Sequence, residues 1–262
     1  MFRMPQYLEL ENFDIGFIMK YYIGIDRKPF VEYVDHPMFS IRTLINRKSK
    51  VVTDKEWFLD SGAFTYLKQY GKFPFSIGKY LNVVSNQKPN HWACMDWCCE
   101  PTILKSTGLN VLQHIGNTIE SGRQLIDFDR DSFVMVIQGW NTRDYLTCLD
   151  YIKDYDLITH TIGIGTICGR TDQQMVFDIL KNLKVELPDS VKIHCFGLSL
   201  NLLKYKEIFD QIDSIDTFAW SRGFGLSILN GVTKEMRIKA ILDYNKKLSD
   251  LINRNEKQNV LV

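Results

Sequence analysis

The chain reads as short, almost wholly apolar runs separated by longer stretches in which apolar residues return every three or four positions. The short runs with β character are Tyr21–Ile25, Met38–Leu44, Trp57–Asp60, Trp92–Asp96, Phe133–Gln138, Thr161–Gly165, Lys192–Gly197 and Ile215–Ala219. A run such as Phe133-Val-Met-Val-Ile137 has no polar alternation, as expected of a strand covered on both faces. The longer stretches predict helices. Thr171-Asp-Gln-Gln174 reads as a capping box ahead of Met175, Ile179 and Leu183, which share one helical face. Similar faces run through Asn110–Ile126, Thr142–Lys153 and Asn201–Ile212. Near the C-terminus, Met236, Ala240, Ile241, Tyr244, Leu248 and Leu251 line one side of a helix whose other side holds Lys234, Arg237, Lys239, Lys246 and Lys247.

Strands alternating with helices predict parallel βαβ units, and eight of them in about 250 residues is the size of a (β/α)8 TIM barrel. An open doubly wound sheet is the other architecture this pattern allows. No Pro-rich linker, low-complexity tract or composition shift divides the chain, so residues 1–262 are expected to form a single domain. A length of 262 residues, 45% of them hydrophobic, supports one full core and is too short for two ordinary catalytic domains.

Lys and Arg number 32 against 31 Asp and Glu, a net charge of +1, so any anionic partner must be met by a local patch. The N-terminal stretch carries Glu9, Glu11 and Asp14 and lacks the order of a signal peptide, and no apolar run approaches a membrane span. The 6 cysteines, with Cys98 and Cys99 adjacent, do not resemble a disulfide framework. The expectation is a reduced, cytoplasmic protein with no membrane partner.

In either fold the reactive groups collect at the C-terminal ends of the strands. Those ends are patterned: Asp60-Ser-Gly-Ala-Phe64, Met95-Asp96-Trp97, Gln138-Gly139-Trp140, Gly163-Ile-Gly165-Thr166 with Gly169-Arg170 beyond, His194-Cys-Phe-Gly197, and Asp216-Thr-Phe-Ala-Trp-Ser221. A single Asp after a strand is often only a helix cap, and a single Gly only a turn residue. Three carboxylates in register beside aromatics and glycines point to one chemical mouth. His91 with Cys94, Cys98 and Cys99 offers zinc-type donors, but the spacing and the lack of a second cysteine pair favour buried structural thiols and no metal. His194 reads as a hydrogen-bonded core histidine rather than a catalyst. No nucleophile elbow, phosphate loop or dinucleotide fingerprint is present.

This ordered set resembles the tRNA-guanine transglycosylase superfamily, and more closely its DNA-modifying branch, the DpdA-like enzymes that place 7-deazaguanine bases in DNA. The resemblance spans Trp57 to Arg222. The superfamily's Asp-Ser-Gly-Gly-Phe motif is similar to Asp60-Ser61-Gly62-Ala63-Phe64, its base-recognition Asp to Asp96, and its Gln-Gly to Gln138-Gly139. Its Gly-rich segment matches Gly165-Thr166-Ile167, its Met-Gly-like strand end Phe196-Gly197, and its nucleophilic Asp matches Asp216.

The resemblance implies that Asp216 attacks C1′ of the nucleotide and that Asp60 moves the proton. It further implies substrate binding by Ser61, Phe64, Asp96, Gln138, Gly139, Gly165, Thr166, Phe196, Gly197 and Arg222. The exchange of one glycosidic bond for another needs no cofactor. Two departures bear on the substrate. The zinc site that follows the nucleophile in tRNA-acting members has no counterpart, since no cysteine lies beyond Cys195, and Ala63 stands where the motif has Gly. The implied substrate is therefore DNA ahead of tRNA, with a preQ0-type base incoming and room for a helper protein that opens the duplex. A tRNA (queuine-type) transglycosylase, a non-catalytic nucleic-acid-binding barrel using the basic face of Lys234 to Arg254, and a retaining glycoside hydrolase using two of the Asp residues are the competing readings.

Overall fold

The computed structural model describes residues 19–222 and 232–259. Eight parallel strands close into a barrel in chain order, β1 (Lys20–Gly24), β2 (Pro37–Ser40), β3 (Phe58–Asp60), β4 (His91–Ala93), β5 (Phe133–Ile137), β6 (Thr161–Ile164), β7 (Lys192–Cys195) and β8 (Ser214–Thr217). The fold is a (β/α)8 barrel. Around it lie α1 (Ile41–Leu44), α2 (Ala63–Tyr70), α3 (Ile77–Gln87), α4 (Pro101–Thr107), α5 (Val111–Leu125), α6 (Thr142–Asp154), α7 (Gln173–Glu186), α8 (Leu200–Leu203), α9 (Lys206–Phe209) and α10 (Lys234–Asn259).

The barrel wall separates two apolar regions. Ile23, Phe39, Leu59, Trp92, Ile137, Ile162, Ile193 and Ile215 face outward into the large core shared with the helices. Tyr22, Met38, Phe58, Ala93 and Val134 fill the lumen, with Phe196 packed over them. The lumen is thus a packed plug, and any chemistry is confined to the rims. Closure pairs β1 with β8, setting Tyr22 opposite Asp216, and β2 with β3, setting Ser40 opposite Asp60.

Every expected β run overlaps a strand, but several strands begin one residue before their runs and stop earlier. The run Met38–Leu44 is strand only to Ser40; Ile41 and Leu44 then bury one face of a helical turn, a spacing of three that fits a helix and not a strand. The N-cap of α7 is Asp172, whose carboxylate accepts from the Met175 N–H at 2.9 Å, so the cap falls one residue later than the Thr171 box implies. The expected helix over Asn201–Ile212 is two single turns, α8 and α9, broken where Tyr205 adopts extended backbone. α5 begins at the Asn110–Gln113 capping box and α6 at its counterpart, Asn141 with Asp144.

The inner face of α10 also differs from expectation. Met236 is exposed, whereas Arg237 is buried and its Nη1 donates to Asp26 Oδ2 at 3.0 Å. Ala240, Ile241, Tyr244, Leu248 and Leu251 pack against the core as the stripe predicts, together with Ile252, and the departure is confined to Arg237 taking the place of Met236. An ion pair supplies part of the contact that the sequence pattern assigned to Met236.

Candidate active site

The C-terminal ends of the strands deliver polar groups to one mouth, and a chain of hydrogen bonds sets their orientation. Asp60 closes β3, and the Gly62 N–H donates to its Oδ2 at 3.0 Å, so the turn into α2 clamps the carboxyl. Ser61 is buried; its hydroxyl donates to Asp96 Oδ1 at 2.9 Å while accepting from the Ala63 N–H. Asp96, just past β4, accepts on its other oxygen, Oδ2, from Gln138 Nε2 at 2.5 Å. Gln138, just past β5, accepts on Oε1 from the Thr166 hydroxyl, and Thr166 Oγ1 accepts from the Cys99 N–H at 2.7 Å.

The direction of donation along this chain is determined. A carboxylate only accepts, so Gln138 must present its amide NH2 to Asp96 and its oxygen to Thr166. Two backbone features make room for it. A Cβ at Gly165 would overlap the Gln138 amide group. Thr166 has a φ of 52°, a left-handed conformation that is strained for a β-branched residue and is retained because its hydroxyl serves two buried partners. Gly139 answers to packing instead: a Cβ there would lie 2.6 Å from the Tyr145 nitrogen at the start of α6.

Asp216 sits across the mouth in β8. Its Oδ1 accepts from the Gly197 N–H at 2.9 Å and lies 3.4 Å from His194 Nε2. Burial, followed by the charges of Asp216 and Asp96, pushes the Asp60 carboxyl up to about 7, with the Gly62 N–H acting in the opposite sense. Burial also raises the Asp96 carboxyl, opposed by the hydrogen bonds from Ser61 and Gln138. Asp60 is therefore poised to gain or lose a proton near neutrality while facing two further carboxyl groups.

Around this centre lies a rim of exposed aromatic side chains. Phe64, Trp140 and Phe218 are 45%, 39% and 43% exposed. Trp140 is braced by Arg170, whose guanidinium carbon lies 4.4 Å from the ring centroid and whose Nη2 donates to the Trp140 carbonyl at 2.7 Å. Arg170 Nε also donates to the Thr166 carbonyl at 2.7 Å, tying the loops after β5 and β6 together. Phe196 turns into the lumen against Phe58 and His194, roofing the barrel. The charge of Arg222 reaches Cys168 and Tyr244, on the side of the mouth where Cys168 also feels Asp216.

The sequence reading missed two members of this site. His194 is a buried core residue as expected, but it also reaches Asp216. Arg170, which the sequence shows only as the residue after Gly169, holds the mouth together through its buried guanidinium. The thiols near β4 go to separate acceptors, Cys94 to the Thr118 carbonyl, Cys98 to Asp96 and Cys99 to the Trp97 carbonyl, and burial holds all three above the usual thiol range. His91 lies at the opposite end of the barrel, 3.0 Å from Glu56.

With this geometry in view, comparison with known families gives a match along most of the chain. The model of a family described as DpdA, DeoxyPurine in DNA protein A, matches residues 18–244. The chain belongs to the DpdA family. No curated protein matches it. The family description refers to deoxypurine in DNA, and the match covers the whole described barrel from β1 through β8 and the first part of α10. Among the described residues no helix is long and apolar enough to cross a membrane.

Proposed function

We propose that this DpdA-family protein exchanges guanine in DNA for a 7-deazaguanine base of the preQ0 type, through a covalent intermediate on Asp216. The observation that carries the reading is Asp60, a carboxyl raised to about 7 in the same mouth as Asp216 and beside the Asp96–Gln138 pair. Glycosidic exchange needs an anion to meet a cationic, oxocarbenium-like centre and one group that can first give and then take a proton.

In the first half, an Asp216 oxygen bonds to C1′ as the C1′–N9 bond breaks; the electron pair leaves with guanine, which takes the proton of Asp60. In the second half, Asp60 accepts the N9 proton of the incoming base, whose nitrogen forms the new bond to C1′ as the ester to Asp216 breaks. Asp96 suits the guanine N1–H and 2-amino donors, and the Gln138 NH2 suits O6, because Thr166 already occupies the amide oxygen. The target nucleotide must leave the stack to expose C1′ and the base edge together, and the aromatic rim offers surfaces for unstacked bases.

The test is to incubate the protein with preQ0 and with guanine-labelled DNA or tRNA in parallel, followed by nucleoside mass spectrometry. Deazaguanosine in DNA, abolished by Asp216→Ala, is the expected outcome. Exchange confined to tRNA would reassign the substrate, and exchange that persists in Asp216→Ala would overturn the covalent route.

A further inference from the structure

His194 is the one fully buried histidine in the barrel lumen, and the reaction scheme above leaves it without a task. It is 0% exposed. Phe58 stacks on its ring at 5.0 Å, while Phe196 and Tyr22 meet it edge-on at 4.6 and 5.8 Å. This aromatic cage leaves few polar neighbours. Nδ1 lies 2.9 Å from the Ser214 hydroxyl, whereas Nε2 is buried without a hydrogen bond of good geometry and lies 3.4 Å from Asp216 Oδ1. Leaving such a nitrogen unpaired is costly, so its nearness to the Asp216 carboxylate calls for an explanation.

We propose that His194 is a positioning residue for the Asp216 carboxylate, donating its Nε2–H to Oδ1. The inference rests on the reading of Asp216 as nucleophile. A bare imidazole nitrogen facing a carboxylate oxygen would set lone pair against lone pair, so the proton belongs on Nε2, and Ser214 supplies the complementary donor to Nδ1. Oδ1 then has two donors, the Gly197 N–H and His194 Nε2–H. Both fall on the same oxygen, which turns Oδ2 toward the mouth as the attacking atom.

The same arrangement serves both halves of the exchange. When Oδ2 bonds to C1′ and the C1′–N9 electron pair departs with the purine, Oδ1 becomes the ester carbonyl and keeps both donors. When the incoming nitrogen takes C1′, the bonding pair returns to Oδ2 and the carboxylate is restored in its original orientation. His194 gains or loses no proton in either step. A neutral donor orients the carboxylate without neutralising the charge that makes it a nucleophile.

The test pairs spectroscopy with kinetics on the full chain. Nitrogen-15 spectra of the imidazole are expected to show an Nε2–H tautomer for His194, with a resonance that moves in Asp216→Asn. An Nδ1–H tautomer, or a resonance indifferent to Asp216→Asn, would overturn the proposal. In exchange assays His194→Phe, which keeps the ring stacking, is expected to lower kcat about 10- to 100-fold with KM changed much less, whereas His194→Gln, which retains a donor, recovers part of the loss. Wild-type kcat in a folded His194→Phe protein would also overturn it. The spectroscopic arm reports on the contact whether or not DNA is the substrate. A wild-type protein inactive on DNA with the tautomer intact would count against the proposed function and not against the contact.

Discussion

Gln138 Nε2 donates to Asp96 Oδ2 across 2.5 Å, joining the ends of β4 and β5 at the mouth of the barrel. The amide can reach this position only because residue 165 has no side chain, since a Cβ there would overlap it. Gly165→Ala is therefore expected to displace Gln138 and to weaken binding of the proposed 7-deazaguanine substrate at least about tenfold by calorimetry. Unchanged affinity would remove Gln138 from base recognition.

Thr166 holds the other end of that amide. Thr166→Val keeps the shape but removes the hydroxyl, leaving the Cys99 N–H and Gln138 Oε1 without their partner. A stability loss of about 2 kcal/mol is expected in urea titrations, accompanied by weaker discrimination between guanine and adenine, because the amide is then held in place from the Asp96 side alone. A variant as stable and as selective as wild type would show that the hydroxyl has neither role.

Asp60, raised to about 7, makes stability depend on pH. The folded protein holds this proton more tightly than the unfolded chain, so the contribution is fully present below the unfolded pKa near 4 and is lost as pH rises through about 7. Asp60→Asn removes that loss. The variant is expected to be more stable than wild type at pH 8 by about 1–4 kcal/mol, with the gap closing near pH 4, while exchange activity is abolished. A gap that does not vary with pH would contradict the assignment.

Glu56 belongs to the opposite end of the barrel, where it accepts from Lys20 Nζ at 2.7 Å and from the Tyr22 hydroxyl at 2.6 Å, with His91 Nε2 at 3.0 Å. These partners, His91 first, hold its carboxyl far below the usual range. Its stabilising contribution is thus present above the unfolded pKa near 4.5 and falls away as pH drops below it. Glu56→Gln is expected to cost about 1–2 kcal/mol at pH 7, discounted for partial exposure, with the deficit shrinking in acid and kcat unchanged. An equal loss of activity at constant stability would tie this end of the barrel to the chemistry.

Much of the architecture was legible along the chain because parallel strands covered on both faces are written as unbroken apolar runs, Phe133–Ile137 most clearly. The apolar faces of Asn110–Ile126 and Thr142–Lys153 announced their helices locally, and the Asn110 and Asn141 caps that start them emerged with the structure. The carboxylates were legible too, since residues that end such strands must gather at one rim. What remained hidden were roles set by partners far away in sequence. The strained backbone at Thr166 answers to Cys99 and Gln138, and Arg237 is buried because Asp26 meets it from the end of β1.

His194 marks the boundary between the two kinds of information. The sequence by itself determined the alternation of strand and helix, the barrel-sized count of units and the order of Asp60, Asp96, Gln138 and Asp216, because periodicity and strand ends are local properties. In a strand apolar on both faces, nothing local distinguishes lumen from outer core. Closing β8 against β1 and β7 decided that His194 points inward beside Asp216, and burial of Asp60, followed by the charges of Asp216 and Asp96, decided its proton affinity. Burial and charge–charge repulsion depend on distances in space, and only the closed barrel sets those.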